Sequence, residues 1–418
     1  MHVPLLDLKA QYKSLKPDLD AAMIRVAESQ VCVLGAEVEQ LERTMAKYCG
    51  TRFALGVSSG TDALLMALMA LGIGAGDEVI VPTFSFFATA GVVMRLGAMP
   101  VFVDSEARGL NLDPARLEER ITPRTKAIIP VHLFGQCAAM QAIMSIAAKY
   151  SIPVIEDAAQ AIGAEYNNGQ KAGTMGLMGC FSFYPTKNLG AFGDAGLITT
   201  NDEDLYIKLK QMRNHGMEPR YYHKFVGGNF RMDALQAAVL NVKFAHLESW
   251  HQARRSNAAL YNQLFVQHGL AEESPKHEPC SGLQDGFPRN GFSHCPHCAT
   301  SSITAFNEAN TLLLPEMLGA TSGVKNHHIF HQYTLRTPLR DKLRAYLAEH
   351  GIGAEIYYPV PLHKQECFAH LASNDSNDAE FRVANCAAAH VLSLPIYPEL
   401  QEAQLYYVVE RIAAFYQK

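Results

Sequence analysis

Apolar positions recur along this chain with two periods. Residues 17–48 carry a stripe through Leu19, Met23 and Val26 and then Val38, Leu41 and Met45, the spacing of one face of a helix. Beyond it, short β-branched runs alternate with helical segments. ALGV, EVIVPTF, PVFVD, AIIPVHLFG, IPVIED, CFSFYP and LITTN read as strands, and an apolar helix follows SSGTDA. Further helices are predicted over 88–96 and 140–150. Apolar strands separated by helices predict an α/β fold with a mainly parallel sheet covered on both faces. Ligands of such sheets sit at the carboxyl ends of the strands. Polar clusters fall at those ends, at residues 59–62, 157–160 and 186–188.

The pattern changes after about residue 235. Residues 234–255 read as one long helix. Residues 272–326 are rich in Ser, Gly, Pro, His and Asn and have little periodicity; a connection of that length is unusual inside a compact domain. HQYTLR (strand), 339–350 (helix), AEIYYP (strand) and a helix near 401–416 then predict a smaller α+β unit. The expected organisation is a large domain at 1–250 and a small C-terminal domain at 251–418, the latter carrying the atypical insertion at about 272–326.

Composition narrows the function classes. The chain has 418 residues, 48% hydrophobic and 18% charged, enough apolar material for a sizeable core. Lys+Arg 36 against Asp+Glu 41 leaves a net charge of -5, so no global attraction to nucleic acid or anionic lipid is expected. The opening MHVPLLDLKAQYKSL lacks the basic-then-apolar layout of a secretory signal, and the longest apolar stretch, near 63–73, is short of the ~20 residues of a membrane span. Nine scattered cysteines read as reduced thiols. The expected location is the cytoplasm, with no membrane partner.

Three motifs carry chemistry. In FSFYPTKNLGAFGDAG, Lys187 follows a strand and precedes glycines. Lysines ordinarily project into water; one at a ligand-binding strand end can lose its proton and form a Schiff base. In VIEDAAQAIGA, Glu156 and Asp157 end a strand, and alternation sends one toward the site and the other away. A carboxylate there suits the protonated pyridine nitrogen of a pyridoxal cofactor; the alternative is an Asp capping a helix over AAQA. In SSGTDALLMAL, Gly60 permits close backbone approach and Thr61 opens a helix whose N-terminus suits an anion. Neither a dinucleotide nor a P-loop glycine pattern is present.

Taken in order, SGTDAL, EDAAQA, FSFYPTKNLGAFGDAG and GGNFRMDALQAA resemble the DegT/DnrJ/EryC1/StrS family of pyridoxal-phosphate-dependent sugar aminotransferases, over nearly the whole chain except 272–326. The resemblance implies a fold-type I aminotransferase, with a mainly parallel seven-stranded sheet, a small C-terminal domain, and a homodimer with shared active sites. It assigns Lys187 to the Schiff base, Asp157 to the pyridine nitrogen and Gln160 to the ring hydroxyl. Gly60, Thr61 and Ser182 go to the phosphate, Phe86 to stacking on the ring, and Asn229 to the phosphate of the other subunit. For Phe86 and Asn229 the plainer readings are a core aromatic and a turn residue. It implies L-glutamate as amino donor and a nucleotide-linked keto sugar as acceptor. HVPLLDLKAQY and YYPVPLHKQECF look most like the subset aminating C3 of a dTDP- or UDP-linked 3-keto sugar. The alternatives are a 4-keto sugar aminotransferase, a dehydratase (relatives of that kind carry His in place of the lysine) and a non-catalytic regulatory relative. Tyr184, His331, Tyr333 and His363 are candidates to face the sugar.

The insertion departs from the family pattern. Cys295-Pro-His-Cys298 is a C-x-x-C, and Cys280 with His277 or His294 would complete the four ligands of a small zinc site; with no second C-x-x-C at standard spacing, the expectation is that no metal is bound there. They are then incidental Cys and His in an unstructured insertion.

Overall fold

A computed structural model describes residues 1–271, 312–318, 322–371 and 380–417. The first half holds α1 (Leu8–Ser29), α2 (Ala36–Cys49), β1 (Phe53–Val57), α3 (Gly60–Ala70), β2 (Glu78–Pro82), α4 (Ala88–Arg95), β3 (Met99–Val103), β4 (Thr125–Ile128), α5 (Met140–Lys149), β5 (Ile155–Asp157), β6 (Met178–Ser182) and β7 (Gly196–Thr200). The second holds α6 (Glu203–Met212), α7 (Ala234–Phe244), α8 (Leu247–Gln267), β8 (Tyr333–Arg336), α9 (Arg340–Glu349), α10 (Arg382–His390), β9 (Val391–Leu394) and α11 (Glu402–Tyr416).

The strands order as β3-β2-β4 and β5-β6-β7-β1. Parallel bridges Ile128↔Val154 and Val131↔Asp157 join β4 to β5, so the two groups run on as one seven-strand layer. Only β7 is antiparallel to its neighbours, β6 and β1. The predicted mainly parallel α/β sheet is therefore present. Its strands are nearly continuous apolar runs because helices cover both faces. α3 is buried almost all round, from Ala63 to Leu68, packed against β6 and β7.

Several elements differ from the pattern-based expectation. The single helix at 17–48 is two. α1 begins at Leu8, where Asp7 Oδ1 accepts the Lys9 and Ala10 N–H groups, and the chain reverses through left-handed Gln30, Leu34 and Gly35 before α2. The helix expected at 234–255 breaks after Phe244 into α7 and α8. AEIYYP forms no strand. Glu355 makes one bridge to Ser393, and the strand pairing with β8 is β9.

A separate apolar core gathers β8, β9, α9, α11 and the second half of α8. The boundary expected at 250 falls inside α8, which contributes Leu247 to the sheet-side core and Tyr261, Leu264 and Phe265 to the second. The N-terminus also joins that second core: Val3 is fully buried in it and bridges Ile352. The insertion ends sooner than expected, because Leu312 is buried in the same core and Leu313 pairs with Arg336. Among the described residues no helix is long and apolar enough to cross a membrane.

Candidate active site

The loops leaving β1, β2, β5 and β6 at their carboxyl ends carry most of the sequence-predicted residues. Alternation at the end of β5 separates the two carboxylates. Glu156 turns away, fully buried, and accepts four bonds: from Gly173 N–H and His132 Nε2–H on Oε2, and from Met175 and Gly176 N–H on Oε1. The Ala138 N–H bonds His132 Nδ1, which leaves the ring proton on Nε2, facing Glu156. Asp157 faces the other way. Its Oδ2 accepts the Thr89 hydroxyl at 2.8 Å and its Oδ1 the Ala159 N–H at 3.2 Å. No helix begins here, so helix capping is not its role. Burial pushes the Asp157 carboxyl up, while those two bonds and the charge of Lys187 pull it down.

Lys187 sits in the tight turn after β6, its N–H bonded to the Tyr184 carbonyl. Burial lowers its ammonium to about 8, against the smaller opposing pull of Asp157. Among the described residues no hydrogen bond or ion pair engages its Nζ. Neighbouring His331 donates Nδ1–H to Asn188 Oδ1, whose amide N–H₂ bonds the Ile329 carbonyl. Burial and the Lys187 charge hold His331 neutral, well below its usual range.

Gly60 opens α3 where space is tightest: a Cβ there would lie 2.7 Å from Ser182 Cβ and 3.1 Å from Ser182 Cα. Ser59 Oγ accepts the Asp62 N–H. The earlier N–H groups, of Gly60 and Thr61, have no acceptor within the helix, which suits the cradle to an anion. Phe86, after β2, is 56% exposed, so it is not a core aromatic; its ring lies 6.2 Å from that of Tyr358. Gln160 is buried, accepting the Phe134 N–H on Oε1 and donating Nε2–H to the Tyr358 hydroxyl.

The remaining candidates divide. Tyr184 is exposed beside Lys187, and His363 Nδ1 bonds the Thr83 hydroxyl at the end of β2. Tyr333 does not belong with them. It is fully buried between Tyr261 and Phe330, with its hydroxyl on Asn262, because alternation along β8 turns it into the second core. Asn229 is exposed and bridges Asn214, outside the Lys187–Asp157 cluster. His277, Cys280, His294, Cys295 and Cys298 lie outside the described residues. Sequence reasoning missed Thr89 and Tyr358. Tyr358 at least stands in the quoted YYPVPLHKQECF; Thr89 carries no local signal.

The sequence model of the DegT/DnrJ/EryC1/StrS aminotransferase family matches residues 13–283 and 301–413. This chain belongs to that family. A pleiotropic regulatory protein of Geobacillus stearothermophilus is 44% identical over 100% of this chain and 99% of its own length. A UDP-N-acetyl-3-dehydro-alpha-D-glucosamine 3-aminotransferase of Acidithiobacillus ferrooxidans is 41% identical over 96% of this chain and 95% of its own. Among solved structures, S. venezuelae DesV in complex with a ketimine intermediate superposes with a TM-score of 0.84 at 37% identity, covering 100% of this chain and 99% of that one. The fold is that of the pyridoxal-phosphate-dependent aminotransferases, and the chain is an aminotransferase with pyridoxal 5′-phosphate as its cofactor.

The residues present fit that cofactor. The N–H groups at the α3 N-terminus, with Ser182 packed directly against Gly60, suit a phosphate. Asp157, buried and oriented by Thr89, suits a cationic ring nitrogen, and the Lys187 amine has no competing partner among the described residues. An exposed aromatic face, Phe86, is available to a flat ring.

Proposed function

We propose that this enzyme transfers an amino group from L-glutamate to C3 of a UDP- or dTDP-linked 3-keto sugar. The observation that carries the reading is full-length similarity to a relative named for 3-amination of a UDP-linked sugar, in a chain whose Lys187–Asp157 pair is intact. Bound pyridoxal phosphate supplies an electron sink and carries the amino group between donor and acceptor. Lys187, with its proton affinity brought near neutrality, takes and returns the proton at the substrate carbon. Asp157 holds the positive ring N–H, and the Thr89 hydroxyl keeps it ionised. The α3 N-terminus with Thr61 and Ser182 binds the phosphate, Gln160 meets the ring hydroxyl, and Phe86 covers one ring face. Tyr184, His331 and His363 face the sugar.

The same reading makes the enzyme a homodimer in which Asn229 reaches the partner's phosphate site. The loop bearing Asn229 supports this: Tyr221, Tyr222 and Val226 are 74%, 70% and 88% exposed, apolar surface of the kind that subunit contacts cover. The organisation proposed remains a large cofactor-binding domain and a small C-terminal one. The location proposed is the cytoplasm.

Reverse transamination tests the carbon and the nucleotide. The enzyme is given 2-oxoglutarate with UDP- and dTDP-linked 3-amino or 4-amino sugars, and glutamate formation is followed. Glutamate is expected with the 3-amino sugars; formation only with 4-amino sugars would move the reaction to C4.

A further inference from the structure

The turn that carries Lys187 is held from behind by α7. The turn closes tightly on itself: a Cβ at Gly190 would lie 2.3 Å from the Pro185 carbonyl oxygen, and the Ala191 N–H bonds the Phe183 carbonyl. Two α7 side chains seven residues apart, on one face of the helix, then grip the next residues. Gln236 Oε1 accepts the Phe192 N–H at 2.8 Å. Lys243 Nζ donates to the Gly190 carbonyl at 2.7 Å and lies 4.8 Å from the centre of the Phe192 ring.

Lys243 is an unusual residue for that task. It is 2% exposed, and among the described residues no carboxylate contacts its ammonium; Glu399 acts on it only at a distance. Burying a lysine without an ion pair is costly, so a purely structural contact here would be better served by an apolar residue. Burial lowers it to about 8.

We propose that Lys243 and Gln236 form a splint that fixes the Gly190–Phe192 segment and thereby sets the reach of Lys187 toward the cofactor, making Lys243 a positioning residue for the Schiff base. The inference rests on the assignment of Lys187 to that bond. Without the Lys243 donor, the Gly190 carbonyl is left unbonded in the interior and the turn relaxes. The cofactor would still be held through Asp157 and the phosphate cradle, but the Lys187 amine would be displaced from the position in which it bonds the cofactor.

The test uses the full-length holoenzyme. Wild type, Lys243→Met, Lys243→Arg and Gln236→Leu are reduced with borohydride, and intact mass gives the fraction of cofactor covalently trapped on the protein. Total cofactor and apoprotein Tm are measured alongside. Near-complete trapping is expected in wild type and Lys243→Arg. Lys243→Met should fall at least threefold at unchanged cofactor content and near-unchanged Tm, and Gln236→Leu should fall in the same direction. Equal trapping in wild type and Lys243→Met would overturn the splint while leaving Lys187 in its role. So would a loss that only tracks loss of folded protein. Wild type that binds cofactor but traps none would overturn the Lys187 assignment and the splint with it.

Discussion

Lys187 is where burial does chemical work. A lysine with an ordinary value of 10.5 is neutral about three times in ten thousand at pH 7, whereas one at about 8 is neutral roughly one time in ten. Capture of pyridoxal phosphate by the apoprotein should therefore rise with pH and reach half its maximum near 8; a rate still climbing in proportion to hydroxide at pH 10 would contradict the depressed value. The sign for stability follows. Between about 8 and 10.5 the unfolded chain keeps a proton that the folded one has lost, so the apoprotein gains stability as pH rises through that window. Asp157 runs the other way. Burial raises its carboxyl, and it is the ionised form that holds the ring nitrogen, so activity is lost as pH falls through the raised value. Thr89→Val removes a bond that opposes the rise. A hydrogen bond to a charged group contributes about 1.5–3 kcal/mol, which predicts a kcat lowered about tenfold or more and an acid limb moved to higher pH. An unmoved acid limb would rule Thr89 out of that role.

Strand ends were readable because each motif lies where a β-run gives way to glycine and hydroxyl residues: Ser59-Gly60-Thr61 after β1, Asp157 after β5, Lys187 after β6. Local composition carries that signal. It does not carry contacts made across the sheet. Thr89 lies 68 residues from Asp157 and meets it only because α4, packed on β2 and β3, brings its first turn to the end of β5, and Tyr358 reaches Gln160 from 198 residues away. Nor does it mark the break between α7 and α8, where Ala245 and His246 are ordinary helix residues and packing on two cores decides. Tyr333 misled for the opposite reason: HQYTLR shows which residues are polar, but only pairing in β8 decides which of them turns inward. Gly60 tests the strand-end geometry most cleanly. Gly60→Ala pushes a methyl into Ser182 at 2.7 Å, with Ser182 backbone only 3.1 Å away. Cofactor Kd should rise at least tenfold while the fold survives, as read by equilibrium dialysis and Tm; an unchanged Kd would move the phosphate elsewhere.

The proposed dimer gives each active site residues from two chains, and mixing experiments expose that. Lys187→Ala and Asn229→Ala homodimers should each be nearly inactive. After unfolding and refolding together, half of the dimers are mixed, and each mixed dimer has one site with both native residues. Activity should return to about a quarter of wild type. No recovery, with mixed dimers present by mass, would place Lys187 and Asn229 in the same subunit's site. The same whole-molecule view separates an enzyme from a regulatory protein built on this fold. The relative at 44% identity is named for regulation, yet the Lys187 and Asp157 pair that transamination needs is present here.

The most direct measurement is the visible absorption spectrum of the purified protein with pyridoxal phosphate, before and after L-glutamate. A yellow band that glutamate bleaches, with one equivalent of 2-oxoglutarate released per site, is the predicted result. A band that glutamate leaves untouched would contradict transamination from that donor, and the absence of any band would contradict the role given to Lys187.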